Sequence, residues 1–221
     1  MRFIIHELPY ERPLLAGRLR YERDGAPTGA VESWRLTAAA EGYRFLRVDL
    51  DAREAPSGRS FLFHVVLNAI GRPEQLKFRF WGDGHEASGS AVWDKDGVVA
   101  TRRVAGAAYE DTAHGRAFWF PAGAGLALLA GWAGETSGMT MLADPADPAR
   151  LMALVETPVV IAWGEAQLEE VAGELLPVRP LAVAWSDQRR TVWLDGEARP
   201  IRLAAHNGLT ATAERLVRYQ N

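Results

Sequence analysis

Five histidines are the residues of this chain best suited to acid–base or metal chemistry. They occupy positions 6, 64, 85, 114 and 206, and no two of them are four residues apart. A helical zinc site of the HExxH type is therefore excluded. His85 lies near Asp83 and Glu86 in the only local cluster of metal-ligand types, but the glycines at 82 and 84 predict a hairpin turn there rather than a metal site.

His64 has the strongest case for a buried role among these histidines. It lies between Phe63 and Val65 in a stretch, residues 60–68, that is apolar at both alternate positions. Such a strand is predicted to be buried on both faces. A buried imidazole needs a hydrogen-bond partner, so we favour a satisfied core histidine. The alternatives are a polar anchor inside a ligand pocket and a general base.

Sequence signatures of nucleophilic and nucleotide chemistry are missing. The chain has no cysteine, which excludes disulfides, thiolate nucleophiles and cysteine-ligated zinc. It contains no Gly-x-Ser-x-Gly, Walker-type or GxGxxG motif. Asp49 and Asp51 share one strand face, as the paired acids of a glycosidase would, but alternating charges are typical of a solvated sheet. These patterns favour a non-catalytic protein without metal or cofactor, and leave a hydrolase of unrecognised type as a third alternative.

Aromatic residues give the strongest indication of a function. Eight tryptophans are a heavy load for 221 residues, and nearly all the large rings fall on predicted strands. Such rings fill the concave side of a curved sheet, or line an apolar ligand cavity in which a few polar groups fix the orientation. The predicted ligand-binding residues are Trp34, Phe45, Phe63, His64, Phe80, Trp93, Phe118 and Trp185.

Composition narrows the range of partners and locations. Hydrophobic residues make up 48% and charged residues 24%, which are ordinary globular values. The formal net charge of −3 gives no electrostatic reason to expect nucleic acid or an anionic membrane. The first fifteen residues lack the apolar core of a signal peptide, and the longest uncharged run, 117–134, is broken by proline and glycine. We therefore expect a soluble, cytoplasmic protein without a transmembrane segment.

Alternation of apolar and polar residues dominates the chain and predicts β-strands. In residues 43–51, for example, Leu46 and Val48 face one way and Arg47 the other. Turn signals recur about every 8 to 12 residues, which is typical of antiparallel β proteins, and strands do not alternate with long helices as in a doubly wound fold. The predicted strands are 15–23, 29–37, 43–51, 60–68, 76–81, 90–93, 98–104, 158–163, 181–186, 191–194, 201–206 and 209–219.

Two stretches depart from this alternation. Residues 118–120 and 126–132 are apolar throughout and predict either a strand or a short buried helix. Asp147 as N-cap and Pro148 as first residue predict a short helix that runs to about Val155. The loop at 144–148 is a possible internal seam. Together these patterns predict a mainly β protein: one domain, residues 1–221, that forms a single antiparallel, strongly curved β-roll or open barrel with one or two short helices.

The C-terminal stretch resembles a bacterial group of β domains. Its residues VWLD at 192–195, the following DG turn, the residues RPIR at 199–202 and a last strand that closes on Tyr219 carry the likeness. They resemble the spiral β-roll, lipoprotein-carrier-like domains, which include families of unknown function and one described as glycolipid-binding. The resemblance implies a long curved sheet around a hydrophobic space, often plugged by a short helix, that holds a lipid or glycolipid.

These observations predict a binding protein that holds an apolar or amphipathic ligand on the concave side of a curved sheet. Trp81 and Trp119 lie opposite the phenylalanine faces of their strands, so a second surface must also be covered. A helix, a ligand or a second chain would cover it. The alternative function is therefore a structural or interaction protein whose second apolar face is a homodimer or partner interface.

Overall fold

The computed structural model describes residues 7–56, 58–142, 147, 149–171 and 173–220. His6 and most of the predicted loop at 144–148 lie outside the described residues. Within these ranges, sixteen strands form one large, open sheet with a single short α-helix and two 3₁₀ helices. The predicted mainly β fold class is confirmed.

The strands succeed one another along most of the chain because the alternating pattern is interrupted by tight turns. Asp24 and Gly25 form the first turn, with φ values of 51° and 80°. The strands are β1 Arg12–Arg23, β2 Ala26–Ala38, β3 Arg44–Asp51, β4 Ser60–Leu67, β5 Pro73–Gly82, β6 His85–Trp93, β7 Val98–Val104, β8 Ala107–Ala113, β9 Ala117–Trp119, β10 Ser137–Leu142, β11 Ala153–Trp163, β12 Gln167–Val171, β13 Glu174–Trp185, β14 Gln188–Leu194, β15 Pro200–Ala205 and β16 Leu209–Arg218.

Two antiparallel meanders make up the sheet. In the first, β1 to β8 lie side by side in sequence order. In the second, the order of neighbouring strands is β16, β15, β14, β13, β11, β10 and β9. The meanders join where β1 pairs with β16, with Leu15 opposite Arg218 and Arg23 opposite Leu209. The two ends of this path are β8 and β9, which are consecutive in the sequence.

The short link between β8 and β9 forces the sheet to curl. Neighbouring strands lie about 4.8 Å apart, so the two edges of a flat sheet with this order would be separated by roughly 65 Å. The three linking residues, 114–116, can span only about 14 Å. The two ends of the sheet are therefore brought close together, and the sheet, although open, curls into a roll.

Side chains rather than a backbone ladder fasten the two edges. Arg102 of β7 donates hydrogen bonds to the carbonyl oxygens of Ala149 and Leu151, at 2.7 and 3.2 Å, and its Nε lies 2.8 Å from an oxygen of Asp111 in β8. The same carboxylate accepts a hydrogen bond from the backbone N–H of Leu154 in β11, at 3.2 Å. We call these five residues the clasp. It holds the edge at β8 against β11 and the turn before it, where the described residues form no strand pairing.

The interior of the roll is filled by its own chain. β9, the α-helix α1 (Gly123–Ala127) and the 3₁₀ helix Leu128–Trp132 follow one another there, and we call residues 117–132 the plug. Phe120 stacks on Phe63 of β4 at 4.0 Å between ring centroids, and Leu126 and Leu129 are fully buried. The apolar stretch at 118–120 is therefore strand, and that at 126–132 is helix. Within the described ranges, no helix combines the length and apolar content that a membrane span requires.

A buried carboxylate holds the plug against the sheet. Glu32 of β2 is fully buried and accepts hydrogen bonds from the backbone N–H groups of Gly123 and Ala124, both at 2.8 Å. The hydroxyl of Tyr21 donates a third, at 2.6 Å. Burial raises the pKa of Glu32 above its usual value because the charged form loses its hydration. These bonds fix where α1 begins.

A hairpin covers part of the outer face of the roll. β12 and the first half of β13 leave the main sheet as a two-stranded hairpin, in which Val171 and Val178 pack with Ile201 and the ring of Trp193 into a second, smaller core. This arrangement covers part of the second surface. The prediction that Trp119 lies on such a second surface is wrong, because its ring is fully buried inside the roll as part of the plug.

The short helix predicted from Pro148 to about Val155 is wrong. Asp147 does act as a cap, since its side chain accepts a hydrogen bond from the N–H of Ala149 at 3.0 Å. The chain then makes a single turn, and Met152 has a φ of 58°, which no helix accommodates. Ala153 begins β11. Pairing with β10 therefore prevails over the local capping signal.

The clasp predicts a large loss of stability when Arg102 is removed. Its side chain is 4% exposed, and Arg102→Met leaves the carboxylate of Asp111 without its cation and two carbonyl groups without a donor. We expect the free energy of unfolding in urea to fall by about 3 kcal/mol. Arg103→Met, at the exposed neighbouring position, is the matched control and should change it by less than about 0.5 kcal/mol. Equal effects of the two substitutions would contradict the role of the clasp.

Candidate functional site

Six of the eight predicted ligand-binding residues face the interior of the roll. Four of them are buried in the main core: Trp34, Phe63, Phe80 and Phe118. Trp93 and Trp185 are partly buried and pack against the same core. Most of these rings contact the plug or each other, so the space that the sequence assigns to a ligand is largely occupied by the protein itself.

The plug separates the interior rings into two groups. Phe118 faces the first meander and meets the edge of the Trp93 ring at 5.0 Å. Trp119, on the other side of β9, meets the edge of the Trp185 ring at 5.3 Å in the second meander. β9 is therefore buried on both faces, which explains why its three residues show no alternation.

Phe45 and His64 lie on the opposite, outer face of the sheet. Leu46 and Val48 in β3, and Phe63 and Val65 in β4, are the buried residues of those strands, so their neighbours point outward. The rings of Phe45 and His64 lie 5.7 Å apart there. The structure does not bring these two residues together with the six interior ones. The prediction that β4 is buried on both faces is wrong, because most residues of its outer face are only partly buried.

The surroundings of His64 favour its neutral form. Partial burial and the neighbouring cations Arg47 and Lys77 lower the pKa of His64 to about 4, although the negative charge of Glu11 opposes them. The buried Nε2 has no hydrogen-bond partner among the described residues. An imidazole with so low a pKa is a weak general base at neutral pH, so this geometry gives the hydrolase alternative no support.

The cluster around His85 is a hairpin turn between β5 and β6. Asp83 in that turn forms an ion pair with Arg59 and has a φ of 51°. Among the described residues, no three histidine, aspartate or glutamate side chains come together as metal ligands would.

One end of the roll carries an apolar cleft between the plug and the sheet. Its volume is about 130 Å³, and Trp34 in its wall has a buried Nε1 with no hydrogen-bond acceptor among the described residues. The ends of β1 to β4, the plug and the β14–β15 turn form its walls. The lining residues are Leu15, Trp34, Leu36, Arg44, Leu46, Leu67, Ala124, Ala127, Leu128, Glu197, Ala198, Arg199 and Pro200.

A larger polar cleft lies at the same end, on the other side of the plug. Its volume is about 700 Å³. Leu128 lines the apolar cleft and Trp132, at the end of the same 3₁₀ helix, lines the polar one, so this helix separates the two spaces. The lining residues are Asn68, Arg72, Pro73, Glu74, Trp93, Asp94, Lys95, Asp96, Gly97, Val98, His114, Gly115, Arg116 and Trp132.

Sequence reasoning missed most residues of the two clefts. Of the predicted residues, Trp34 lines the apolar cleft and Trp93 the polar one. For the cleft residues that belong to the plug, the available signal was the length of the uncharged run 117–134. This run exceeds a single strand and so indicates an element enclosed by the sheet. Turn residues such as Arg72 carried no local signal.

A solved structure has a similar fold. The chain resembles the crystal structure of a beta-barrel-like protein of the domain of unknown function DUF1849 from Brucella abortus, with a TM-score of 0.58 over 95% of this chain and 99% of that chain. Their sequences are 15% identical, so the likeness concerns the fold alone. It supports a beta-barrel-like domain rather than one particular lipid-binding family. No protein-family model and no curated protein matches the sequence.

His64 predicts a loss of stability in mild acid. Because its pKa is about 4 in the folded protein and about 6.5 in an unfolded chain, the unfolded state takes up the proton first as the pH falls. The free energy of unfolding should therefore decrease between pH 6.5 and pH 4, by about 1–2 kcal/mol for this partly exposed group. His64→Phe should remove that part of the decrease in urea unfolding at several pH values. His85→Gln, at the hairpin turn, is the control, and an unaltered pH profile in His64→Phe would contradict the assignment.

Proposed function

We propose that this protein is a non-catalytic binding protein that holds an amphipathic molecule, such as a lipid or glycolipid, at the end of the roll that carries the two clefts. The apolar part of the ligand lies in the apolar cleft, beside the plug. The observation that carries this proposal is the presence of a small aliphatic cleft and a larger polar one at the same end of the roll, on the two sides of a single 3₁₀ helix.

The wall of the apolar cleft suits an aliphatic chain. Leucine and alanine side chains make up most of the lining, and burial of apolar surface contributes about 25 cal/mol per Å². Trp34 adds a large ring to the same wall.

The size of the apolar cleft limits what it holds. At about 130 Å³ it is smaller than the pockets of about 300–1,000 Å³ that enclose whole small molecules. It accommodates the end of an apolar chain, whereas the polar cleft, at about 700 Å³, accommodates a head group. An amphipathic ligand fits this division better than a wholly apolar one.

Filling the apolar cleft should weaken binding. Ala127 lines the cleft, so Ala127→Leu places additional carbon atoms in it. Ala130→Leu is the matched control, since Ala130 is a partly buried residue of the plug that is not part of the lining. Decyl glucoside, titrated calorimetrically below its micellar concentration, should bind the wild type and Ala130→Leu, and bind Ala127→Leu at least about tenfold more weakly.

Native mass spectrometry of protein purified from its own source provides a second readout. The wild type should carry an additional mass that is absent from Ala127→Leu. Equal calorimetric binding to all three proteins, or an empty wild type that does not bind decyl glucoside, would contradict the proposal.

A second candidate function is an interface on the β12–β13 hairpin. Leu168 and Leu175 are 64% and 65% exposed, and the register of the hairpin places them, with Pro177, on its outer side. Exposed apolar patches of this kind mark interaction sites. We propose a second copy of the chain as the occupant, as the sequence-based alternative suggested.

The self-association of this hairpin is directly measurable. If it is a dimer interface, sedimentation velocity should give a dimer for the wild type and a monomer for Leu175→Glu. Val92→Glu, at another exposed apolar position, should leave the dimer intact. A wild type that sediments as a monomer at high concentration would rule out this candidate.

A further inference from the structure

We infer that Arg190 binds the carboxylate of a small organic acid at the rim of the roll, at the end opposite the two clefts. This site is separate from that of the proposed function, and neither depends on the other. The guanidinium faces the interior, has no carboxylate partner among the described residues, and is held by an aromatic ring.

Arg190 lies on the inner face of β14, close to its beginning. Val192 and Leu194, at the next alternate positions, are buried in the main core, so the side chain of Arg190 points inward as well. β14 runs toward the β14–β15 turn, which lines the apolar cleft, and Arg190 is therefore near the other end of the roll. Because the residue is only partly buried, a solute can reach its guanidinium from that end.

The guanidinium of Arg190 lacks the partners that enclosed arginines have elsewhere in the structure. Its buried Nε has no hydrogen-bond acceptor, and within the described ranges it forms no ion pair. The enclosed guanidinium groups of Arg47 and Arg102, in contrast, pair with the carboxylates of Glu11 and Asp111. Burial lowers the pKa of Arg190, because the cation loses part of its hydration. The charge is thus left for a partner from outside the chain.

The ionisable groups on the same side of the sheet do not take this place. Tyr21 of β1 offsets the effect of burial on the pKa of Arg190 only in part, and its hydroxyl already donates to Glu32 at 2.6 Å. Glu32 also accepts two hydrogen bonds from the plug, and its carboxylate forms no ion pair with Arg190. A buried polar group without a partner is rare in native proteins and marks a bound ion or a functional role.

Trp185 holds the guanidinium and leaves its N–H groups available. The guanidinium carbon lies 5.6 Å from the centre of the Trp185 ring, and that ring is itself fixed by Trp119, edge-on at 5.3 Å. A cation–π contact restricts the arginine without using its donors. Paired guanidinium donors match the two oxygens of a carboxylate. A single cation suits this singly charged group better than a phosphate group, which carries up to two charges and three acceptor oxygens.

The surroundings of the guanidinium suit a ligand with an apolar body. Val183 and Ala205 lie directly beside Arg190 on the neighbouring strands β13 and β15, and the ring of Trp185 packs against the main core. Apart from the guanidinium and the hydroxyl of Tyr21, these side chains are apolar. An aliphatic or aromatic acid therefore fits this site better than a bare anion.

Arg190→Met tests whether the cation serves the fold or a ligand. Methionine keeps an apolar stem but removes a charge that is partly buried without a partner, and such a charge opposes folding. The midpoint of thermal unfolding should therefore rise, by about 2–4 °C. Arg189→Met, at the exposed neighbouring position, is the matched control and should shift it by less than about 1 °C. A lower midpoint in Arg190→Met than in Arg189→Met would show that the arginine supports the fold, and would overturn the inference.

Binding is measured as the ligand-induced rise of the same midpoint over a concentration series at constant ionic strength. Hexanoate and hexanamide share an apolar body and differ in charge, so hexanoate should give the same rise at about tenfold lower concentration. Arg190→Met should abolish this difference, whereas Arg189→Met should retain it. Acetate, which lacks the apolar body, and inorganic phosphate should both require higher concentrations than hexanoate.

A variant of the apolar cleft separates this site from the proposed function. Ala127→Leu fills the cleft and should leave the effect of hexanoate unchanged. If Ala127→Leu abolishes that effect, hexanoate binds in the cleft, which overturns the Arg190 site and supports the proposed function. Equal effects of hexanoate and hexanamide on the wild type, or of hexanoate on the wild type and Arg190→Met, overturn the Arg190 site and leave the proposed function standing. Acetate or phosphate acting at concentrations as low as hexanoate overturns the assignment to an organic acid.

Discussion

Everything in this fold depends on the three-residue link between β8 and β9. These strands occupy opposite ends of the sheet order, and so short a link is compatible only with a sheet whose edges meet. Once the edges meet, the chain that leaves β8 has to enter the enclosed space, because β9 continues directly from the link. The same constraint therefore determines both the curvature of the sheet and the origin of the plug.

The plug in turn determines where a ligand can lie. The rings of Phe118, Trp119 and Phe120 fill the middle of the roll, and the carboxylate of Glu32 fixes the beginning of α1 through two backbone N–H groups. A charge buried in this way is tolerated only because hydrogen bonds compensate its lost hydration. With the centre occupied, the remaining space lies at one end, on both sides of the 3₁₀ helix.

The alternating pattern predicted the strands whose inner face alone is apolar, because a period of two is a local property. It missed β8, β10 and β12: β8 is exposed at most of its positions and has no apolar row, residues 137–142 have no alternation, and β12 belongs to a hairpin outside the main sheet. The helix predicted at 148–155 failed because pairing of β11 with β10 is a long-range interaction that capping does not reveal.

Faces and clefts were harder to predict than strands. In β4 both sets of alternate positions are largely apolar, so nothing local decides which set faces inward, and His64 was assigned to the wrong side. Phe45 was assigned to the interior as well, although the alternation of β3 places it with Arg47 on the outer face. The clefts are formed by turns and by the plug, which are distant in sequence. Trp34 and Trp93 were found because each is a large ring near the end of an inward-facing row.

The clasp has a consequence for the geometry of the whole fold. In a closed barrel, strand number and shear together dictate the diameter, which can change only in discrete steps. Here Arg102 and Asp111 join β7 and β8 to β11 and to the turn before it through hydrogen bonds to three backbone groups. The circumference of the roll is therefore set at this point by side-chain contacts rather than by a strand ladder that continues around it.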